Sequence, residues 1–194
     1  MSQGNIKCDD VKAAFGDRIK HMMNLTIASG LEYGFTICEK KDGNIVEGGL
    51  CAGDRCSVDY QECESDQKDV GRIHVHPHIY SFLPSSSDVA NGMRYQQGVK
   101  CVVDTKTNMS CGNYNNISTE KLNEYSLAGE KHDICLLTEL QKQPAYATFN
   151  LEALGEHWAT IQPQVFDSAM RKCLPKTKEM RDILQPYEYC ETKV

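Results

Sequence analysis

The strongest constraint on the fold is a change in the spacing of apolar residues within the first fifty residues. From Asp10 to Ile27, apolar side chains recur at spacings of three and four, which is typical of an amphipathic helix. The pair Ser29-Gly30 predicts the end of that helix. From Tyr33 onward the pattern changes to short β-prone runs around Lys41-Asp42-Gly43, and Asp-Gly between such runs predicts a hairpin.

The middle of the chain continues this mixture of strands and helices. The run from Gly71 to Pro77 predicts a strand that ends at the proline, because proline has no N–H to donate to a ladder. Ser85 opens a predicted helix that ends near Gln97. Val99–Val103 and Met109–Tyr114 predict a second hairpin, so the fold class is α/β.

The C-terminal part of the chain has mostly helical patterns. Four helices are predicted there, over Ser118–Leu127, Asp133–Gln141, Asn150–Ile161 and Val165–Cys173. The predicted organisation is therefore a core over residues 1–114 and a helical extension over residues 115–194. Its apolar side chains are sufficient for packing on the core or for association into a homo-oligomer, and both remain open.

Charge and composition exclude several classes of protein. The chain of 194 residues has 21 Lys and Arg against 27 Asp and Glu, a net charge of −6, which disfavours binding to nucleic-acid phosphates. No stretch approaches the roughly 20 apolar residues that span a bilayer. Charged residues are so frequent among the first thirty that no secretory signal fits there. We therefore expect a cytoplasmic protein with neither a membrane nor a nucleic-acid partner.

The ten cysteines are scattered and include no C-x-x-C pair, which disfavours a zinc ribbon or a thioredoxin-type site. In a cytoplasmic chain the favoured interpretation is buried free thiols. Disulfides, as in the intracellular proteins of some hyperthermophiles, are the alternative.

The most informative segment is His74-Val75-His76-Pro77. Alternate residues of a strand point to the same face, so His74 and His76 present two imidazoles side by side. Such a pair suits Zn²⁺, and Asp88 in the first turn of the next helix is a candidate third ligand. Two histidines and a carboxylate leave one tetrahedral position for water, which is the pattern of a catalytic zinc site.

Each part of this pattern also has a simpler explanation. A His-x-His pair on a strand can be a surface or packing feature. Ser85-Ser86-Ser87-Asp88 can be a helix start in which Ser85 is the N-cap and the helix dipole favours Asp88. The metal site is favoured because both patterns occur together and in this order.

This ordered combination resembles the JAMM (MPN+) metalloprotease family, whose motif is Glu…His-x-His-Pro…Ser-x-x-Asp. The matching residues here are His74, His76, Pro77, Ser85 and Asp88. The resemblance implies a curved, mixed β-sheet flanked by helices, and a Zn²⁺ ion held by His74, His76 and Asp88.

The resemblance also implies two catalytic residues and a substrate. Family members have a glutamate near an early strand, and Glu32 fits that place better than Glu39 or Glu47. Glu32 would accept a proton from the zinc-activated water, and Ser85 would donate a hydrogen bond to the oxyanion. The implied substrate is the C-terminal tail of ubiquitin or a ubiquitin-like protein.

Two other functions remain open, a metal-dependent hydrolase of small peptides or amides and a non-catalytic MPN-type interaction scaffold. The acidic segment Asp54–Asp69 has two interpretations as well. It could attract a basic face of a protein substrate, or it could be a solvated surface loop.

Overall fold

The computed structural model of the chain describes residues 6–52, 60–77, 82–96, 98–157 and 161–194. The chain divides into two compact units, one made of Met1–Ile117 with Gln185–Val194 and the other of Ser118–Leu184. Residues 185–194 therefore belong with the first unit, and the packing of a C-terminal extension on the core stays a prediction. Within the described ranges, no helix combines the length and the apolar character needed to cross a membrane.

The first unit is built on a six-stranded mixed sheet, which confirms the α/β class. In chain order its elements are α1 (Cys8–Ser29), β1 (Tyr33–Glu39), β2 (Ile45–Ala52), β3 (Lys68–Val75), α2 (Ser86–Tyr95), β4 (Val99–Val103), β5 (Asn108–Asn113) and β6 (Cys190–Lys193). The strand order is β2-β1-β3-β4-β5-β6. β3 and β4 are parallel, and the other neighbouring strands pair antiparallel.

The helix predicted from Asp10 to Ile27 is confirmed as α1. Its apolar stripe, including Val11, Ile19 and Met22, is buried in the main core. Gly30 ends the helix with a φ of 71°, and its N–H donates to the carbonyl of Thr26. A left-handed residue at this position is the usual conformation of a glycine C-cap.

The two faces of the sheet have different characters because strand side chains alternate. One face carries Phe35, Ile73, Val75 and Val103, which pack with α1 into the main apolar core. His74 lies between Ile73 and Val75 and therefore points to the opposite face. The core thus fixes the strand that carries the candidate ligand.

The second unit differs from the sequence prediction in its helix boundaries. It contains α3 (Thr119–Leu140), a 3-10 turn (Pro144–Tyr146), α4 (Leu151–His157) and α5 (Pro163–Leu184). The two helices predicted over Ser118–Leu127 and Asp133–Gln141 are one helix, because buried Tyr125, Ala128, Leu136 and Leu140 form one stripe through the intervening residues.

One further helix is longer than predicted, and one strand was not predicted. α5 continues past Cys173 to Leu184, and its buried side chains continue with Thr177, Met180 and Leu184. β6 was not predicted, since Cys190–Lys193 is short and largely polar and forms a strand only by pairing with β5.

The prediction of free thiols is wrong for eight of the nine cysteines that the structure describes, and Cys56 lies outside the described residues. The eight form four disulfides, Cys8–Cys190, Cys38–Cys63, Cys101–Cys111 and Cys135–Cys173. The partners are between 10 and 182 residues apart in sequence, so the pairing depends on the fold and local spacing could not predict it.

The described part of the acidic segment is tied to β1 by a disulfide and by a hydrogen bond from the Thr36 hydroxyl to the carbonyl of Gln61 at 2.7 Å. Cys63, inside it, is bonded to Cys38 of β1, while Glu62, Glu64 and Asp66 are exposed. Residues 53–59, with Asp54 and Asp59, lie outside the described residues.

Replacing both Cys135 and Cys173 by alanine tests the disulfide between α3 and α5. The cross-link closes a loop of 38 residues, and the chain-entropy relation gives a loss of about 3–4 kcal/mol in unfolding free energy. Guanidinium denaturation followed by the far-ultraviolet helix signal measures it. Ser126→Ala, at an exposed position of α3, is the control and should change the free energy by less than about 0.5 kcal/mol. Equal midpoints for the double variant and the parent would contradict the pairing.

Candidate metal centre

Neighbouring strands hold both histidines from two sides. His74 pairs in register with Gly34 of β1 and with Val102 of β4. His76 follows β3 directly, and its N–H donates to the carbonyl of Val103 at 2.8 Å. Both imidazoles are buried. The backbone therefore fixes the two rings on the sheet face opposite the α1 core.

Asp88 reaches the histidines from the first turn of α2. Ser85 is the N-cap of this helix, and its Oγ accepts the N–H of Asp88 at 3.1 Å. In return the Ser85 N–H and hydroxyl donate to Asp88 Oδ2 at 2.8 and 2.7 Å. This reciprocal arrangement confirms the predicted N-cap. It also holds the Asp88 carboxylate in one orientation.

The donor atoms of the three residues converge. The two Nε2 atoms are 2.9 Å apart. Asp88 Oδ1 lies 3.5 Å from His74 Nε2, and Asp88 Oδ2 lies 3.6 Å from His76 Nε2. Ligands at 2.0–2.1 Å from a tetrahedral zinc ion are separated by roughly 3.3 Å. The cluster therefore has the spacing and the chemistry to hold a metal ion.

Asp88 remains ionised although it is buried. Burial alone would raise the pKa of its carboxyl, but attraction to His74 and hydrogen bonds with both imidazoles hold the pKa well below its usual range. The same negative charge adds to the effect of burial in raising the pKa of the Tyr114 hydroxyl. An ionised carboxylate is the form that binds a metal.

Lys100 is the residue at this site that sequence reasoning missed. Its side chain is buried, and Nζ lies 3.3 Å from Asp88 Oδ1. It pairs with Arg72 and Gly112 across β4, so it shares the face of His74 rather than that of the apolar core. A lysine in the otherwise apolar run Val99–Val103 was the available signal, since lysine is almost never fully buried without a partner.

The structure distinguishes the three candidate glutamates by position. β1 and β3 pair Tyr33 with Val75, and one more step of that register sets Glu32 opposite His76. Glu39 is at the other end of β1, five residues beyond Gly34 and thus about 17 Å along the strand. Glu47 is bound to Arg18 at 2.6 Å. This placement supports Glu32, whose role as the base stays a prediction.

Two buried polar atoms at the site have no hydrogen-bond partner among the residues that the structure describes. They are His74 Nδ1 and the Tyr114 hydroxyl. Metal-bound histidines usually donate their other ring nitrogen to an acceptor, so His74 departs from the usual arrangement. A hydrogen bond from the Ser110 hydroxyl of β5 to the carbonyl of Phe82 anchors the residues that precede α2.

No protein-family model matches this chain, and no curated protein matches it at a significant level. Membership of the JAMM family therefore stays a prediction that rests on the motif residues.

The donor set predicts one zinc ion per oxidised chain. His76→Ala removes one of three protein ligands and should abolish stoichiometric binding, as measured by elemental analysis after dialysis against zinc. His21→Ala, at an exposed position on α1, should leave one ion bound. Unchanged zinc in His76→Ala would contradict the assignment.

Gly34→Ala should disturb the site through close packing. A Cβ at Gly34 would lie 2.5 Å from the Ile73 carbonyl oxygen and 2.9 Å from His74 Cβ, so β1 and β3 would have to separate. We expect a loss of about 1–3 kcal/mol in unfolding free energy and weaker zinc binding by calorimetry. At Gly16 in α1 a Cβ meets no atom within 4 Å. Gly16→Ala should therefore preserve zinc affinity, and the same affinity in Gly34→Ala would contradict the packing argument.

Proposed function

We propose that this protein is a zinc-dependent hydrolase that cleaves an amide bond at the C-terminal tail of a ubiquitin-like protein. The observation that carries the proposal is the convergence of two imidazole nitrogens and one carboxylate in a buried cluster. Metal sites that act on substrates keep a position open beyond three protein ligands. His74, His76 and Asp88 would supply three protein ligands and leave a fourth position open.

The choice of zinc follows from the donor atoms. Two imidazoles with one carboxylate suit Zn²⁺, whereas calcium and magnesium prefer oxygen ligands. When bound, such an ion polarises a carbonyl oxygen and lowers the pKa of a water molecule. Ser85 contributes by fixing the Asp88 carboxylate through two hydrogen bonds.

Glu32 is the proposed general base. The register of β1 and β3 ends at the pair of Tyr33 and Val75, and its continuation by one residue would set Glu32 opposite His76. In this role its carboxylate would take a proton from water and deliver it to the leaving amine. The Ser85 hydroxyl donates to Asp88, so a role as oxyanion donor would require it to turn from Asp88 toward the substrate.

A ubiquitin-like substrate is supported by charge. The exposed carboxylates Glu62, Glu64 and Asp66 lie in a segment anchored by the Cys38–Cys63 disulfide. Fixed negative charges of this kind accelerate encounter with a basic protein surface. A cytoplasmic location would suit such a substrate, but four disulfides favour an oxidising compartment.

A specific observation favours a second function, that of a non-catalytic interaction module. Lys100 already neutralises Asp88, with Nζ 3.3 Å from Oδ1. A buried carboxylate with an ammonium and two imidazoles beside it can be a structural ion cluster that needs no metal. The two functions differ in their response to a chelator. A zinc hydrolase loses its bound ion and with it its activity, whereas an interaction module without a metal is unchanged.

Glu32→Gln tests the proposed mechanism. The amide cannot accept a proton, so kcat should fall on the order of 10²-fold or more, while zinc content stays at one per chain. Cleavage of a ubiquitin-like fusion protein and of a peptide with the same scissile tail supplies the rates. Glu39→Gln, at the far end of β1, is the matched control and should retain the parent rate. Equal rates for both variants would mean that Glu32 is not the base.

A further inference from the structure

We propose a second metal site, formed only in the reduced chain, in which the thiolates of Cys8, Cys101, Cys111 and Cys190 hold a zinc ion. This site is separate from the histidine cluster and does not rest on the proposed hydrolase activity. Its four residues come from α1, β4, β5 and β6.

The sheet register brings three of these cysteines into one row. Cys111 of β5 pairs with Cys101 of β4 on one side and with Cys190 of β6 on the other. Cys8, the first residue of α1, lies above this row and is bonded to Cys190. The sulfur atoms of Cys8, Cys111 and Cys190 all lie within 4.8 Å of one another.

Two disulfides are therefore in contact, Cys8–Cys190 and Cys101–Cys111. Four thiolates about 2.3 Å from a tetrahedral zinc ion are separated by roughly 3.8 Å. Cys101 is bonded to Cys111, so its sulfur lies beside that of Cys111, although it is not one of the three sulfurs that converge within 4.8 Å. Reduction would leave three converging sulfurs, and the Cys101 side chain would turn from Cys111 toward the ion to supply the fourth.

Two features at the start of α1 favour thiolate, and they oppose the burial of Cys8, Cys101 and Cys111, which favours the neutral thiol. The N–H of Cys8 donates to Cys190 Sγ at 3.0 Å, and α1, a helix of 22 residues, begins at the cluster. A helix N-terminus lowers the pKa of a nearby thiol. Cys8, Cys101 and Cys111 are buried, whereas Cys190 is only partly buried. A reductant or an ion can therefore enter from the Cys190 side.

The reaction balances with a dithiol as reductant. Two dithiol molecules supply four electrons and four protons, which convert the two disulfides into four thiols. Each dithiol is itself oxidised to a disulfide. Zinc binding then displaces the four thiol protons into solvent. The ion would replace the covalent link between α1 and β6, so both elements stay attached to the sheet in either redox state.

The Cys135–Cys173 disulfide provides the comparison. It also becomes two thiols on reduction, but these residues belong to no group of three metal donors within the described ranges. Replacing Cys135 and Cys173 should not affect binding of the ion.

The sulfur cluster lies on the core face of the sheet, whereas His74 and His76 point to the opposite face. The two sites can therefore be tested independently.

The experiment uses the full chain with His74→Ala and His76→Ala, which removes the histidine site. The protein is reduced with dithiothreitol in the presence of Co²⁺ or Zn²⁺, and reductant and unbound metal are removed anaerobically. We expect one ion per chain, a near-ultraviolet cobalt–thiolate charge-transfer band and a native far-ultraviolet spectrum. The oxidised protein should bind no ion. Adding Cys111→Ser should remove the ion and the band, whereas adding Cys135→Ser with Cys173→Ser should retain both.

Three outcomes would overturn the proposal. They are a reduced protein without the charge-transfer band, a band that persists in the Cys111→Ser variant, and loss of the native spectrum on reduction despite added zinc. Failure of the hydrolase proposal would instead appear as missing activity or missing zinc in the oxidised parent protein, which this experiment does not use.

Discussion

The burial of the Asp88 carboxylate beside two imidazoles is the interaction on which the site depends. Removing a carboxylate from water costs several kcal/mol unless opposite charges and hydrogen bonds replace its hydration. His74, His76, Lys100 and Ser85 supply these contacts. They come from β3, the residue after it, β4 and the start of α2. One carboxylate thus joins three elements on one face of the sheet.

The sequence predicted this constellation because it depends on local rules. Alternation along a strand placed His74 and His76 on one face, and the spacing from Ser85 to Asp88 predicted the capping box that the structure contains. The same local rules located α1, both hairpins and α2. Lys100 could not be placed in the same way, since its contact with Asp88 depends on the parallel pairing of β3 and β4.

The errors have a common physical origin in long-range contacts. Free thiols were predicted because the chain was expected to be cytoplasmic, and local spacing says nothing about partners 182 residues apart, as in Cys8–Cys190. β6 forms because β5 offers an edge for pairing, although its own sequence has little strand character. α3 continues through Gly129 because a single buried stripe spans the helix. Each error lies where tertiary contacts outweigh local propensity.

Lys100 separates the two proposed functions most clearly. The positive charge of Lys100 near Asp88 Oδ1 repels an approaching divalent cation. A zinc enzyme therefore requires the Lys100 ammonium to move away from the carboxylate. A structural ion cluster requires the Lys100 ammonium to stay beside Asp88.

The most direct measurement is anomalous diffraction at the zinc absorption edge from crystals of the oxidised protein grown with zinc. A zinc enzyme should give one anomalous peak bounded by His74, His76 and Asp88, with Lys100 Nζ displaced from Asp88. An absent peak with the Lys100–Asp88 contact intact would rule out the metal site.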